Sequence, residues 1–152
     1  MSPPDVAAVL ASARTLQLTA EAGKTQPLLR GKNLGLLCEA DDGDDATLFR
    51  RAAVELGAHV AHIRLSLSGL RTPQEVQHTA HMLGRLYDAV ECQGLAPALV
   101  RQVGDDAGVP VYDGVASASH PSARLAELLG GDTAPADKRR FVLQAVLLSM
   151  IA

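Results

Sequence analysis

One short turn of this chain contains four aspartates, Asp41, Asp42, Asp44 and Asp45, within the stretch EADDGDDATLFR (39–50). The apolar run NLGLLCE before the turn predicts a strand, and the residues after it predict a helix. In an α/β protein, such a turn normally binds phosphate on backbone N–H groups at the positive end of the helix. Carboxylates repel phosphate, so this turn is suited either to complement and cap an empty helix end or to bind a cation or amine.

Other residues with metal-binding or redox chemistry are weaker candidates. The aspartates lack the spacing and the final Glu of the twelve-residue calcium loop. His78 and His81 share a helix face without an acidic or Cys partner at a recognisable spacing, which favours a solvated face over a metal site. Cys38 and Cys92 end two strands that would be neighbours. Two interpretations are therefore open: the cysteines form a redox pair, or they are two small buried side chains. We predict no metal site and no cofactor.

Composition restricts the class of protein. The 152 residues are 47% hydrophobic and 20% charged, which indicates one globular domain with a core. A net charge of −3, two Tyr, two Phe and no Trp argue against nucleic-acid binding. No apolar run reaches the roughly 20 residues that span a bilayer, and the N-terminus lacks the basic region of a signal peptide. We therefore predict a cytoplasmic protein without a nucleic-acid or membrane partner.

Hydrophobic periodicity predicts helices alternating with strands, which indicates βαβ units and a parallel sheet. Ligands of such sheets bind beyond the carboxyl ends of the strands. The predicted strands are 33–38, 59–64, 88–92 and 109–114, and the segments to inspect are 39–46, 65–72, 92–96 and 113–121. We interpret the pairs Asp105-Asp106 and Arg139-Arg140 as helix-end charges.

Several stretches resemble the carbamoyl-phosphate domain of the aspartate/ornithine carbamoyltransferase family, closer to the ornithine type. They are PLLRGKNLGLLCE, FRRAAVELGAHV, TAHMLGRLYDAV, GVPVYDG and HPSARLAELL. The resemblance covers roughly residues 5–130 and runs without a gap from 34 to 129. It implies an α/β fold: a three-layer α/β/α sandwich with a four-stranded parallel sheet in the order 2-1-3-4.

The resemblance places the acidic turn on the family's phosphate-binding motif, Ser-Thr-Arg-Thr-Arg. Asp42, Gly43, Asp44 and Asp45 stand at its first four positions, and Ala46 stands at the fifth. The side chains that grip phosphate in the family are therefore replaced, three of them by acids.

The resemblance implies similar losses elsewhere in the site. Gln93 stands where the family has an arginine that holds the carbamoyl carbonyl. Gly69 stands where the ornithine type brings a glutamine from a neighbouring subunit. From the family's His-Pro-Cys-Gln signature, His120 is kept and the Gln becomes Ala123.

Family members carry a second, amino-acid-binding domain, which we expect to be absent here. We expect a single unit over 1–152, with a core at 4–130, a linker at 131–137 and a C-terminal helix at 138–152 that packs back on the core.

These departures predict a stand-alone, catalytically inactive domain that acts as an oligomeric structural, regulatory or binding module. By resemblance it forms a homotrimer, and a full-length carbamoyltransferase is a further candidate partner. One alternative is a protein that binds an amine or cation, or an altered enzyme, through the acidic turn and His120. A third hypothesis is that the chain retains carbamoyl-phosphate binding, or carbamoyltransferase activity, together with a partner chain.

Overall fold

The computed structural model describes residues 2–39, 42–64 and 72–151. Its strands are β1 (Asn33–Leu37), β2 (His59–Ile63), β3 (Ala89–Cys92) and β4 (Val111–Asp113). Its helices are α1 (Pro3–Glu21), α2 (Asp44–Glu55), α3 (Pro73–Leu86), α4 (Pro97–Ala107), α5 (Leu125–Leu128) and α6 (Pro135–Ile151), with a 3₁₀ helix at Pro121–Arg124.

The four strands form one parallel sheet in the order β2-β1-β3-β4, which confirms the predicted topology. Leu34 of β1 pairs with Val60 of β2 on one side and with Ala89 of β3 on the other. Because the strands are parallel, their carboxyl ends share one edge of the sheet. The turn into α2 and the segments after β3 and β4 therefore meet at that edge.

Helices cover both faces of the sheet, which completes the three-layer sandwich. Helices α1, α2, α5 and α6 lie on one face, and α3 and α4 lie on the other. Successive residues of a strand point to opposite faces, so Leu36 packs in the first layer and Leu37 in the second.

Helix α6 packs back on the domain as predicted and contacts α1, α2 and α5. Eight consecutive residues, 140–147, are buried, so this helix is enclosed on all sides. It begins at Pro135, three residues before the predicted start at 138, because proline is well suited to the first turn of a helix. The connection before it is shorter than the predicted linker of 131–137.

Short helical turns follow β4. A 3₁₀ helix at Pro121–Arg124 leads into the single turn of α5, and Leu129 already has extended backbone. Gly130 and Gly131 follow, and Gly131 adopts a left-handed φ of 93°, which glycine tolerates best.

Helices α3 and α4 approach each other closely at one glycine. A Cβ atom added to Gly84 would lie 1.9 Å from the carbonyl oxygen of Ala107. The two backbones can meet there only because position 84 has no side chain. Among the described helices, none is both long and apolar enough to cross a membrane.

Candidate functional site: a polar crevice at the strand ends

A polar crevice of about 330 Å³ lies beyond the carboxyl ends of the strands. We call it the strand-end crevice, and its lining consists of Asp45, Gln93, Gly94, Asp113, Gly114, Ser117, Ser119, His120 and Pro121. These residues come from three of the four segments that the parallel topology selects: the turn after β1 and the segments after β3 and β4. The fourth segment, 65–72, lies almost wholly outside the described residues and includes the predicted subunit-contact residue Gly69.

The acidic turn supplies one wall of the crevice through Asp45. Helix α2 has Gly43 as its N-cap, and no side chain caps it. The expectation that an aspartate caps this helix is wrong, because the residue at the N-cap is a glycine without a side-chain acceptor. Asp44 and Asp45 instead lie in the first turn, where their charge complements the helix dipole. Asp42 is exposed, and Asp41 lies outside the described residues.

His120 forms another wall and is the N-cap of the 3₁₀ helix. Its Nδ1 accepts a hydrogen bond from the backbone N–H of Ser122 at 3.1 Å and lies 2.7 Å from the Ser122 hydroxyl. Burial, with a contribution from the nearby Arg139 charge, lowers the pKa of His120 from its ordinary 6.5. The lowered pKa favours the neutral imidazole over the positively charged imidazolium in the crevice.

Beneath the crevice lies a fully buried acid, Glu91 of β3. Its carboxylate accepts hydrogen bonds from the backbone N–H groups of Val115 at 3.1 Å and Ala116 at 3.2 Å, and from Gln93 Nε2 at 3.2 Å. Burial raises the pKa of Glu91 to about 7, although these donors oppose the shift. We did not predict this residue; the available signal was a charged side chain inside an otherwise apolar strand.

Arg139 reaches the same region from α6. Its Nη2 donates to the carbonyl oxygens of Val115 at 2.7 Å and Ser117 at 3.3 Å. Burial lowers the pKa of Arg139, and the nearby carboxylates of Asp45 and Glu91 partly offset that effect. The Nη2 of Arg139 is thus committed to backbone carbonyls beside the crevice, whereas its buried Nη1 has no hydrogen-bond partner among the described residues.

The helix-end interpretation of the pair Arg139-Arg140 is wrong. Both arginines lie in the first two turns of α6, away from the helix end that favours cations. Arg140 is buried and pairs with Glu55 at 3.0 Å and with Asp137. Tertiary contacts, rather than the helix dipole, explain both positions.

A second hollow of about 430 Å³ adjoins the crevice on the α6 side. Its lining consists of Asp44, Asp45, Leu48, Ala116, Ala118, Ala123, Ala136 and Arg139. Asp45 is shared by both spaces, whereas the predicted site residue Ala123 lies in this second hollow and not in the crevice.

The structure separates the two cysteines. Leu37 is the residue that pairs with Cys92, so Cys38 points to the opposite face of the sheet. Cys38 packs in the α1/α2/α5/α6 layer and Cys92 in the α3/α4 layer, both are buried, and no disulfide joins them. The hypothesis that the two cysteines form a redox pair is therefore wrong, and both are small buried side chains.

His78 and His81 are exposed on α3, in agreement with a solvated helix face. Within ranges 2–39, 42–64 and 72–151, no group of three or more His, Cys, Asp or Glu side chains is arranged to hold a metal ion. The acids of the crevice therefore do not form a chelating set in the described part of the chain.

Comparison with known proteins agrees with this architecture. Residues 1–130 match the family described as aspartate/ornithine carbamoyltransferase, carbamoyl-P binding domain. The chain belongs to this family. It is 36% identical over 116 residues to an ornithine carbamoyltransferase from Actinobacillus pleuropneumoniae, a match that covers 76% of this chain and 35% of that enzyme. It is 37% identical over 107 residues to that of Cutibacterium acnes, covering 70% of this chain and 32% of the relative.

Solved structures of the family show the same fold. The ornithine carbamoyltransferase from Pyrococcus furiosus superposes with a TM-score of 0.70 and 25% sequence identity, covering 83% of this chain and 40% of that structure. The chain spans about a third of the length of the curated relatives it matches. The family membership thus rests on the carbamoyl-phosphate-binding part of those enzymes.

Proposed function

We propose that this chain is a non-catalytic member of the carbamoyltransferase family, acting as an oligomeric binding or regulatory module. The observation that carries the proposal is the charge of the strand-end crevice. The carboxylates of Asp45 and Asp113 line it, and no arginine or lysine does so among the described residues.

Elementary electrostatics disfavours carbamoyl phosphate in such a space. Two unit charges about 4 Å apart interact by roughly 4 kcal/mol at an effective dielectric of about 20. By resemblance, a phosphate-gripping arginine would stand at Asp44, so the family's attraction at that position becomes repulsion. Arg139 lines the adjoining hollow rather than the crevice, and its Nη2 already donates to two backbone carbonyls.

The remaining polar groups do not replace the lost ones. Gln93, at the position that holds the carbamoyl carbonyl in the family, donates its amide N–H to Glu91. His120 has its Nδ1 occupied by the backbone of the 3₁₀ helix. Catalysis by proximity requires groups that orient both reactants, and the crevice offers few uncommitted donors for that purpose.

Assembly is the property that the resemblance leaves intact. By resemblance to the family, the chain forms a homotrimer, and a full-length carbamoyltransferase is a candidate partner. Its role would then be to hold or regulate other subunits rather than to turn over substrate.

The same crevice supports a second candidate function, binding of a small amine or cation. Asp45 and Asp113 line it, and the lowered pKa of His120 disfavours an imidazolium that would pair with those charges. A primary ammonium group has the donors to satisfy both carboxylates.

Isothermal titration of the purified chain tests the two candidates. The panel contains carbamoyl phosphate, inorganic phosphate, short diamines, Mg²⁺ and Ca²⁺. We expect no binding of either anion. Millimolar or tighter binding of carbamoyl phosphate would contradict the non-catalytic proposal.

Matched variants of the acidic turn locate any amine site. Asp45→Asn removes a charge that lines the crevice, whereas Asp42→Asn removes an exposed charge from the same turn that does not line it. Amine binding that is lost only in Asp45→Asn supports the second candidate. Sedimentation velocity tests assembly separately, and a monomer at all concentrations would contradict the oligomeric part of the proposal.

A further inference from the structure

We propose that Glu91 and Arg139 are positioning residues that hold segment 114–119 through its amides and its carbonyls, and thereby tie the strand-end crevice to the docking of helix α6. This inference does not depend on which ligand the crevice binds.

Segment 114–119 supplies much of the crevice lining. Gly114, Ser117 and Ser119 belong to it, and His120 follows directly. Internal turns shape the segment: the Ser117 N–H donates to the Gly114 carbonyl at 2.9 Å, and the His120 N–H donates to the Ser117 carbonyl at 3.1 Å. A shift of this segment would therefore displace the histidine and two hydroxyls together.

Glu91 holds the amide side of the segment from below. Its two carboxylate oxygens accept from the N–H groups of Val115 and Ala116, one oxygen for each donor. Both amides are buried and would otherwise lack these acceptors, which is costly away from water. The acid is one residue from the end of β3, so it is fixed by the sheet.

Arg139 holds the carbonyl side of the same segment. Its Nη2 donates to Val115 and Ser117, which are two residues apart. Arg139 is carried by α6, whose following eight residues form the buried centre of their layer. The position of the segment is thus determined jointly by the sheet and by α6.

The groups around Glu91 make this arrangement sensitive to pH. Gln93 and the segment's amides donate to it, Arg139 contributes a positive charge from α6, and Tyr112 and Asp113 of β4 lie on the side of the neighbouring strand. Burial raises the pKa of Tyr112, so that phenol is neutral around pH 7. Glu91 is the group whose charge changes near neutrality, since burial raises its pKa to about 7.

Proton linkage fixes the direction of the effect. Burial penalises the Glu91 anion more than its hydrogen-bond donors favour it, so the closed state prefers the protonated carboxyl group. Closure is therefore favoured at low pH, and that preference is lost as pH rises through about 7. If opening of segment 114–119 returns Glu91 to its ordinary pKa of 4.5, the open state gains population on the order of 50-fold between pH 5 and pH 8.

Hydrogen exchange read by NMR, corrected for intrinsic rates, tests the proposal on the intact chain. We expect the protection of the Val115 and Ala116 amides to fall from pH 5 to pH 8 more steeply than that of Leu36 in β1. Glu91→Gln, which has nearly the same shape, should remove this difference in slope. A flat profile in the wild type, an equal fall at all three amides, or an unchanged slope in Glu91→Gln would overturn the proposal.

Variants of Arg139 test the other half. Arg139→Met should lower the protection of Val115, Ala116 and His120 at every pH, and Arg139→Lys should restore part of it. Arg139→Met should also raise the titration midpoint of His120, because the Arg139 charge helps to lower that pKa. Arg101→Met removes an exposed arginine of α4 and should change neither quantity. Equal behaviour of the Arg139 and Arg101 variants would overturn the role of α6.

Discussion

The two faces of the sheet are packed with different kinds of side chain. On the α3/α4 face, the buried core of the described residues is entirely apolar. The opposite face, with α1, α2, α5 and α6, contains the buried polar side chains Gln17, Glu91, Ser122, Arg140 and Gln144. Each buried polar group needs a hydrogen-bond or charge partner. These residues therefore restrict the relative orientation of the elements in their layer, which apolar packing does not do.

Those partners lie on other elements of the same layer. Gln17 donates from α1 to the carbonyl of Gly130 at 2.8 Å, after α5. Gln144 donates from α6 to the carbonyl of Ala52 in α2 at 3.1 Å. The α3/α4 face acts as a tightly packed support, while the other face fixes the positions of the segments around the crevice.

The largest expected effect lies on the apolar face. Gly84→Ala would place a Cβ atom 1.9 Å from the Ala107 carbonyl oxygen, and the helices would have to separate. We expect the free energy of unfolding in urea to fall by about 3 kcal/mol, with little dependence on salt. The loss follows from packing alone.

Gly104→Ala is the matched control on the neighbouring helix. Its added Cβ would lie 3.6 Å from Val111 Cβ, an ordinary contact, and alanine is favoured in a helix interior by up to about 1 kcal/mol. Equal losses in the two variants would show that close approach at position 84 is not what defines this face.

An intermediate effect is expected for the ion pairs of the polar face. Arg140→Met keeps most of the packing volume but removes the buried cation that pairs with Glu55 and Asp137. Because both acids are partly exposed, we expect a loss of about 1 kcal/mol that shrinks in high salt. Arg51→Met removes a 62% exposed partner of the same Glu55 and should change stability by less than about 0.5 kcal/mol. A salt-independent loss for Arg140→Met would indicate packing instead.

The smallest effect concerns the cap at the crevice edge. His120→Ala removes the acceptor for the Ser122 N–H and should cost about 0.5 kcal/mol, and His120→Asn should restore it. Because the folded protein lowers the pKa of His120, its contribution is present above pH 6.5 and is lost as the pH falls below that value. NMR titration should give a midpoint below 6.5, and a midpoint above it would contradict the assigned hydrogen bond.

Local patterns were sufficient for much of the fold. Hydrophobic periodicity located all four strands, and their parallel arrangement then pointed to three segments that line the crevice. The cysteines are an exception: Cys92 ends β3, but Cys38 lies one residue beyond the end of β1, and this offset in register sends their side chains to opposite faces. Strand order alone does not predict that offset in register.

The site was less accessible from sequence because its key charges act across long chain distances. Arg139 contacts Val115 and Ser117 more than 20 residues away, and only the docking of α6 brings them together. Glu91 gave a local signal, but two of the donors that bond to it, the Val115 and Ala116 amides, depend on the path of segment 114–119. The acidic turn, by contrast, was evident from the sequence because its four aspartates lie close together in the chain.

Because the two cysteines lie in different helical layers, each thiol can report on the opening of its own layer. Cys38 is 5% exposed in one helical layer, and Cys92 is fully buried in the other. Burial, together with the charges of Glu91 and Asp113, raises the pKa of Cys92 to about 12, so alkylation of that thiol requires its layer to open to water. The order in which a thiol reagent modifies the two therefore records which side of the sheet loosens first.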